Sequence, residues 1–194
     1  MEIKIRLNDH KYRYDVYQMF NIYFALDELK FVDDGEYIIN IEENKITFAF
    51  NGYYKESLIG ENIKEDIKRL VFESLKDITG EEHPWGILVG IRPSKIALKY
   101  LNEGKSNEEI VEIFKEKHLA AREKAELCIE VAKAEESFVN TDEKKIAIYV
   151  GMAFCPTRCF YCSFAANPIM GNKKMVNPYL EALTKEIRAL KEYV

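Results

Sequence analysis

An alternation of apolar and charged positions opens the chain: Ile3, Ile5 and Leu7 are separated by Lys4 and Arg6. That period of two predicts a half-buried strand. From Tyr12 to Leu29 the period lengthens, with Val16, Met19, Phe20, Tyr23 and Phe24 at helical spacing. Two β-rich runs follow, Tyr37 to Ile41 and Ile46 to Phe50, joined by Glu42–Lys45 as a hairpin. Ile63, Ile67, Leu70, Val71, Leu75 and Ile78 then form one helix face, which Gly80 ends. The order β-α-β-β-α predicts an α+β domain over 1–80, an antiparallel sheet covered by helices on one face.

The stretch 81–143 reads as helical. Ser94 begins a short helix ending at Gly104, and Ser106 with Glu109 three positions later is a capping-box pattern. A longer helix covers about Leu119 to Phe138, followed by a polar linker at Asn140-Thr141-Asp142. From 144 the pattern changes again. Lys145 to Gly151 is a nearly continuous apolar run, expected to be a strand buried on both faces of a parallel sheet. Asn177-Pro178 is expected to open a final helix whose apolar face is Val176, Tyr179, Leu180, Leu183, Ile187 and Leu190. Strand, loop and helix make one β/α unit, too little to cover both faces of its strand. The chain is therefore expected to be an N-terminal piece of a longer protein, with a barrel or parallel sheet starting at 144.

Charge changes the picture in one place. Residues 1–80 carry 11 Lys and Arg against 16 Asp and Glu, residues 81–144 carry 10 against 14, and residues 145–194 carry 7 against 3. A locally basic end suits carboxylate or phosphate ligands. No basic stripe points to nucleic acid, and no apolar run is long enough to cross a membrane. The opening residues lack the apolar core of a secretory signal, so a cytoplasmic, reducing location is expected, where clustered cysteines favour metal or redox chemistry.

Those cysteines are Cys155, Cys159 and Cys162 in CPTRCFYC, directly after the apolar run. Thiolates select iron–sulfur clusters, zinc or copper(I). A four-iron cluster normally takes four cysteines, so three leave one iron with an open position. The fourth cysteine, Cys128, lies on a helix face with Leu127, Val131 and Ala132 and reads as a small core hydrophobe. His10, His83 and His118 are scattered and read as surface or capping groups. The aromatics of the first helix read as core. Trp85-Gly86 and Gly90-Ile91-Arg92-Pro93-Ser94-Lys95 read as a tight connection with Trp85 plugging a domain interface. The alternative is an anion site, with Arg92 and Lys95 at a helix start.

C-x-x-x-C-x-aromatic-C after a strand resembles the signature of radical S-adenosylmethionine enzymes, matched here by Cys155, Cys159, Tyr161 and Cys162. YVGMAFCPTRCFYCSF is similar to the corresponding stretch of oxygen-independent coproporphyrinogen III oxidases. Gly151 stands where that pattern has histidine, and Ala153 where it has proline. With Gly151, the CPTRC wording and the upstream WGILVGIRPSK, the chain resembles the coproporphyrinogen dehydrogenase-like branch. The resemblance implies a 4Fe–4S cluster on the three cysteines, with S-adenosylmethionine chelated at the open iron. It places Tyr161 by the adenine and Tyr149 by the cofactor or substrate; Arg158 is a candidate carboxylate contact. It further implies decarboxylation of porphyrinogen propionates in heme biosynthesis, an electron donor of flavodoxin or ferredoxin type, and a fragment inactive alone. Two alternatives remain open: a heme-binding carrier of the same ancestry, and a zinc-stabilised interaction module.

Overall fold

A computed structural model describes residues 2–139 and 148–192. The chain divides into two compact units, Met1–Asn140 and Thr141–Val194. Among the described residues the fold is α+β, with a five-stranded mixed sheet and six helices.

The first unit begins with strand β1 (Ile3–Leu7) and helix α1 (Arg13–Tyr23). Strands β2 (Leu29–Phe31), β3 (Tyr37–Ile41), β4 (Lys45–Phe50) and β5 (Tyr53–Leu58) follow, then helix α2 (Ile63–Thr79). The sheet order is β2-β1-β3-β4-β5. Strand β1 lies between β2 and β3 and runs parallel to both, while β3–β4 and β4–β5 are antiparallel hairpins. The sheet is therefore mixed, not antiparallel as the pattern suggested.

The cause lies in residues 24–36. The helical periodicity stops at Phe24, whose backbone is extended, and the chain returns as the short strand β2 beside β1. It then crosses to the other side of β1 past Gly35, where a β-carbon would fall 2.4 Å from the Arg6 nitrogen and 2.5 Å from the Ile5 carbonyl carbon. Only glycine fits so near a neighbouring backbone. Ile3, Ile5, Leu7, Tyr37, Ile39, Ile46 and Phe48 all join one core with Val16, Met19 and Phe20 of α1 and Ile67, Leu70, Val71 and Leu75 of α2. Both helices therefore cover one face, as alternation requires. Not all aromatics of α1 are core: Phe20 is buried, but Tyr14 is 67% exposed.

Helices α3 (Pro93–Asn102), α4 (Asn107–His118) and α5 (Arg122–Glu135) build a second core from Leu98, Ile110, Val111, Phe114, Cys128 and Ile129. The Ser106–Glu109 capping box forms as expected, with the Ser106 N–H donating to the Glu109 carboxylate at 2.7 Å. The segment between the two cores is shared: Ile87 and Val89 pack against the sheet core and Leu88 against the helical one. Backbone bonds fix it, the Ile87 N–H donating to His118 O at 2.9 Å and the Ala121 N–H to Pro84 O at 2.9 Å.

In the second unit, strand β6 (Phe154–Cys155) pairs in parallel with β7 (Asn167–Pro168), and helix α6 (Ile169–Leu190) follows with a kink at Met170 and Gly171. The strand expected over 145–151 lies partly outside the described residues. Its described part, Ile148 to Gly151, is not a strand, and Ile148 and Val150 are more than half exposed. Nor does Asn177-Pro178 start the helix. The break is at Gly171, φ 98°, a left-handed conformation natural to glycine, and Pro178 falls inside α6. Of the apolar face on α6, Val176, Tyr179, Leu183 and Leu190 are half-buried while Leu180 and Ile187 are exposed.

Candidate functional site

The three clustered cysteines sit on one loop closed at its base. The Asn167 backbone N–H donates to Ala153 O at 2.9 Å and its side-chain amide donates to the same oxygen at 3.2 Å. This carboxamide clamp holds β7 beside β6, so residues 155–166 form a loop with fixed ends. Within it the Cys162 N–H donates to Cys159 O at 3.0 Å, a single turn that carries two of the three thiols. Cys155 belongs to β6.

Helix α6 steadies the segment before the loop. Tyr179 donates its hydroxyl to Gly151 O and meets the edge of Phe154 at a ring separation of 5.4 Å. A carbonyl at 151 is thereby satisfied, which matters where no ladder takes it. The clamp and the tyrosine bond were not foreseen from the pattern. Asn167-Pro168, a turn-forming dipeptide after the cysteines, is the sequence signal that could have found the clamp.

All three thiols are free; Cys159 is exposed, Cys155 and Cys162 half-buried. Among the described residues no group of three or more His, Cys, Asp or Glu side chains lies close enough together to hold a metal ion. The donor set suits a thiolate-bound cluster in type and order, and the loop ends are fixed, but the sulfurs are not gathered in this arrangement. Metal sites of this kind form with their ligand, since binding and local folding are one equilibrium. Around the thiols the surface is aromatic and open: Tyr161 is 88% exposed, and Tyr149, Phe160 and Phe164 are exposed with it. Arg158 is exposed on the same loop.

Cys128 stands apart. It lies 3% exposed in the helical core, and burial pushes its thiol above the ordinary range, which keeps it protonated. His118 departs from the surface role expected of it. It is buried at the end of α4 against the edge of Phe114, and desolvation lowers its pKa. Trp85 does not plug an interface as a buried residue, being 36% exposed. Gly86 makes the close contact, with φ 54° and no space for a side chain against the His118 carbonyl. Arg92 precedes α3 and lies 3.9 Å from Glu135, so its charge is partly answered within the unit.

The chain is a partial homologue of one curated protein, the oxygen-independent coproporphyrinogen-III oxidase-like protein HemZ of Bacillus subtilis (strain 168). The two are 33% identical over 135 residues, which is 68% of this chain and 27% of that protein. The chain thus spans about a quarter of the length of that relative. No family model matches the chain, and no solved structure matches it. No described helix is long and apolar enough to cross a membrane.

Proposed function

We propose that this chain is part of a radical S-adenosylmethionine oxidoreductase of the oxygen-independent coproporphyrinogen III oxidase-like type, acting in heme biosynthesis. The observation that carries the reading is the loop itself: three free thiols in the order C-x-x-x-C-x-Y-C, on a loop whose ends Asn167 clamps. The likeness to a coproporphyrinogen-III oxidase-like protein supports the substrate class.

In this reading Cys155, Cys159 and Cys162 hold a 4Fe–4S cluster, and the missing fourth thiolate leaves one iron for S-adenosylmethionine. Such a cluster would supply one-electron reduction of the bound S-adenosylmethionine, the source of radical chemistry at this site. The remaining work falls to side chains. The turn that links Cys159 to Cys162 presents both sulfurs from one short arc. Tyr161, next to the third cysteine, offers an open ring face for an adenine. Tyr149 and Arg158 are proposed contacts for cofactor or substrate, the guanidinium pairing with a carboxylate. The substrate is a porphyrinogen whose propionates lose carbon dioxide, and a flavodoxin- or ferredoxin-type protein delivers the electron.

The test is anaerobic reconstitution with iron and sulfide, then S-adenosylmethionine under reductant. A brown protein whose spectrum changes on adding S-adenosylmethionine is the expected result. A colourless protein holding stoichiometric zinc would overturn it.

A further inference from the structure

Among the described residues no side chain of the second unit is buried, so apolar packing does little to set the path of the cysteine loop. Hydrogen bonds are left to do it, and the β6–β7 pairing is only two residues long. One of the two residues of β7 is Pro168, which has no N–H to give to its neighbour. The ladder is short of donors at the point where the loop closes.

Three side chains make good the shortage, each donating to a backbone carbonyl at the base of the loop. Tyr179 donates to Gly151 O and the Asn167 carboxamide to Ala153 O, both shortly before Cys155. Asn172 donates to Pro168 O at 2.8 Å, after the loop. That third bond spans the kink at Met170 and Gly171, where helical geometry is lost, and so ties α6 to β7. Tyr179 holds the loop entrance at a second point, because its ring also meets Phe154, the residue before Cys155.

The three thiols are therefore held unequally. Cys155 lies in a strand with both flanking carbonyls engaged, whereas Cys159 and Cys162 share a single turn farther out on the loop. With the ends of the loop already fixed, part of the entropy of closing it has been lost before any metal arrives. Gathering the sulfurs then asks for movement of the Cys159–Cys162 turn toward a stationary Cys155.

We propose that Tyr179 and Asn167 are positioning residues of the thiolate site, holding Cys155 in place through the Gly151 and Ala153 carbonyls so that a metal centre has only the Cys159–Cys162 turn to order. This rests on the reading that the three cysteines share one metal centre. Both residues act through the backbone, and neither is a ligand.

The probe is Co²⁺ alone, titrated anaerobically into the reduced full chain at neutral pH, with thiolate-to-metal absorption as the signal. It reads the ligand set without iron, sulfide or S-adenosylmethionine. Cys159→Ala should lose most of that absorption. Tyr179→Phe keeps the ring against Phe154 and removes only the hydroxyl, while Asn167→Ala removes the carboxamide and keeps the backbone N–H. Each should bind Co²⁺ about tenfold more weakly, the scale of a partner one step outside the ligands. The visible spectrum of the bound metal should also shift, because a displaced Cys155 changes the geometry around it. Unchanged affinity and spectrum in both variants, with absorption lost in Cys159→Ala, would overturn the positioning role and leave the thiolate site standing. Weaker binding with an unchanged spectrum would mean loss of general order only, and would overturn it too. Full absorption in Cys159→Ala would remove the thiolate site itself, and the positioning role with it.

Discussion

A methyl group on Gly86 would fall 2.1 Å from the His118 carbonyl oxygen and 2.5 Å from the Leu119 carbonyl carbon, both backbone atoms that cannot swing aside. Gly86→Ala is therefore expected to destabilise the first unit by about 2 kcal/mol or more, read as a lower urea midpoint with unchanged slope. His118 beside it should make stability depend on pH. Burial lowers its pKa below the ordinary 6.5, against a smaller opposing influence from Glu65 and a reinforcing one from Lys117. Below 6.5 the unfolded chain takes up a proton that the folded one refuses. The contribution is full above that value and declines as pH falls. The lowered carboxyls of Asp77, Glu82, Glu108 and Glu109 act in the same direction only further down, below ordinary values of 3.8 and 4.5. His118→Gln should flatten the fall in urea midpoint between about pH 7 and pH 5.5. An unchanged profile would show that His118 is not the group responsible. Neither role was legible beforehand. A lone histidine at a helix end carries no periodic signal, and a glycine in a turn looks the same whether it touches solvent or backbone.

Elements were legible where apolar spacing alone decides them. Strand β1, the β3–β4 hairpin and helix α2 follow their patterns, and Gly80 closes α2 at φ 71° with its N–H donating to Lys76 O at 2.8 Å. Strand β2 was missed because three residues are too short to show a period. Strand β5 was missed because Tyr54, Glu56 and Leu58 face solvent on the sheet edge and blur the alternation. Its Tyr53 and Lys55 instead meet Asp77 of α2, at 2.7 Å and 3.1 Å. The start of α6 was misplaced because proline favours a first turn, yet Gly171 supplies the actual break. At this scale the capping box gives a clean test. Ser106→Ala removes the acceptor for the Glu109 N–H and should cost about 1 kcal/mol, seen as a lower melting temperature. No loss of stability would show that α4 is held by its packing alone.

At the scale of the molecule, two units divide the chemistry between them. The first contains every residue that is buried among those described, in two cores joined by the segment around Gly86. The second contains the cysteine loop and an apolar helix face only half covered. The cysteine spacing was readable because ligand order on one loop is a property of sequence. The clamp by Asn167 and the distances between sulfurs are properties of folding and binding, which spacing does not encode. The central claim is that the loop thiols, and not Cys128, hold iron. Iron content per chain after anaerobic reconstitution tests it most directly, measured for the unaltered chain beside Cys159→Ala and Cys128→Ala. The unaltered chain and Cys128→Ala should each hold about four irons, and Cys159→Ala far fewer. Iron that survives Cys159→Ala, or is lost with Cys128→Ala, would contradict the account.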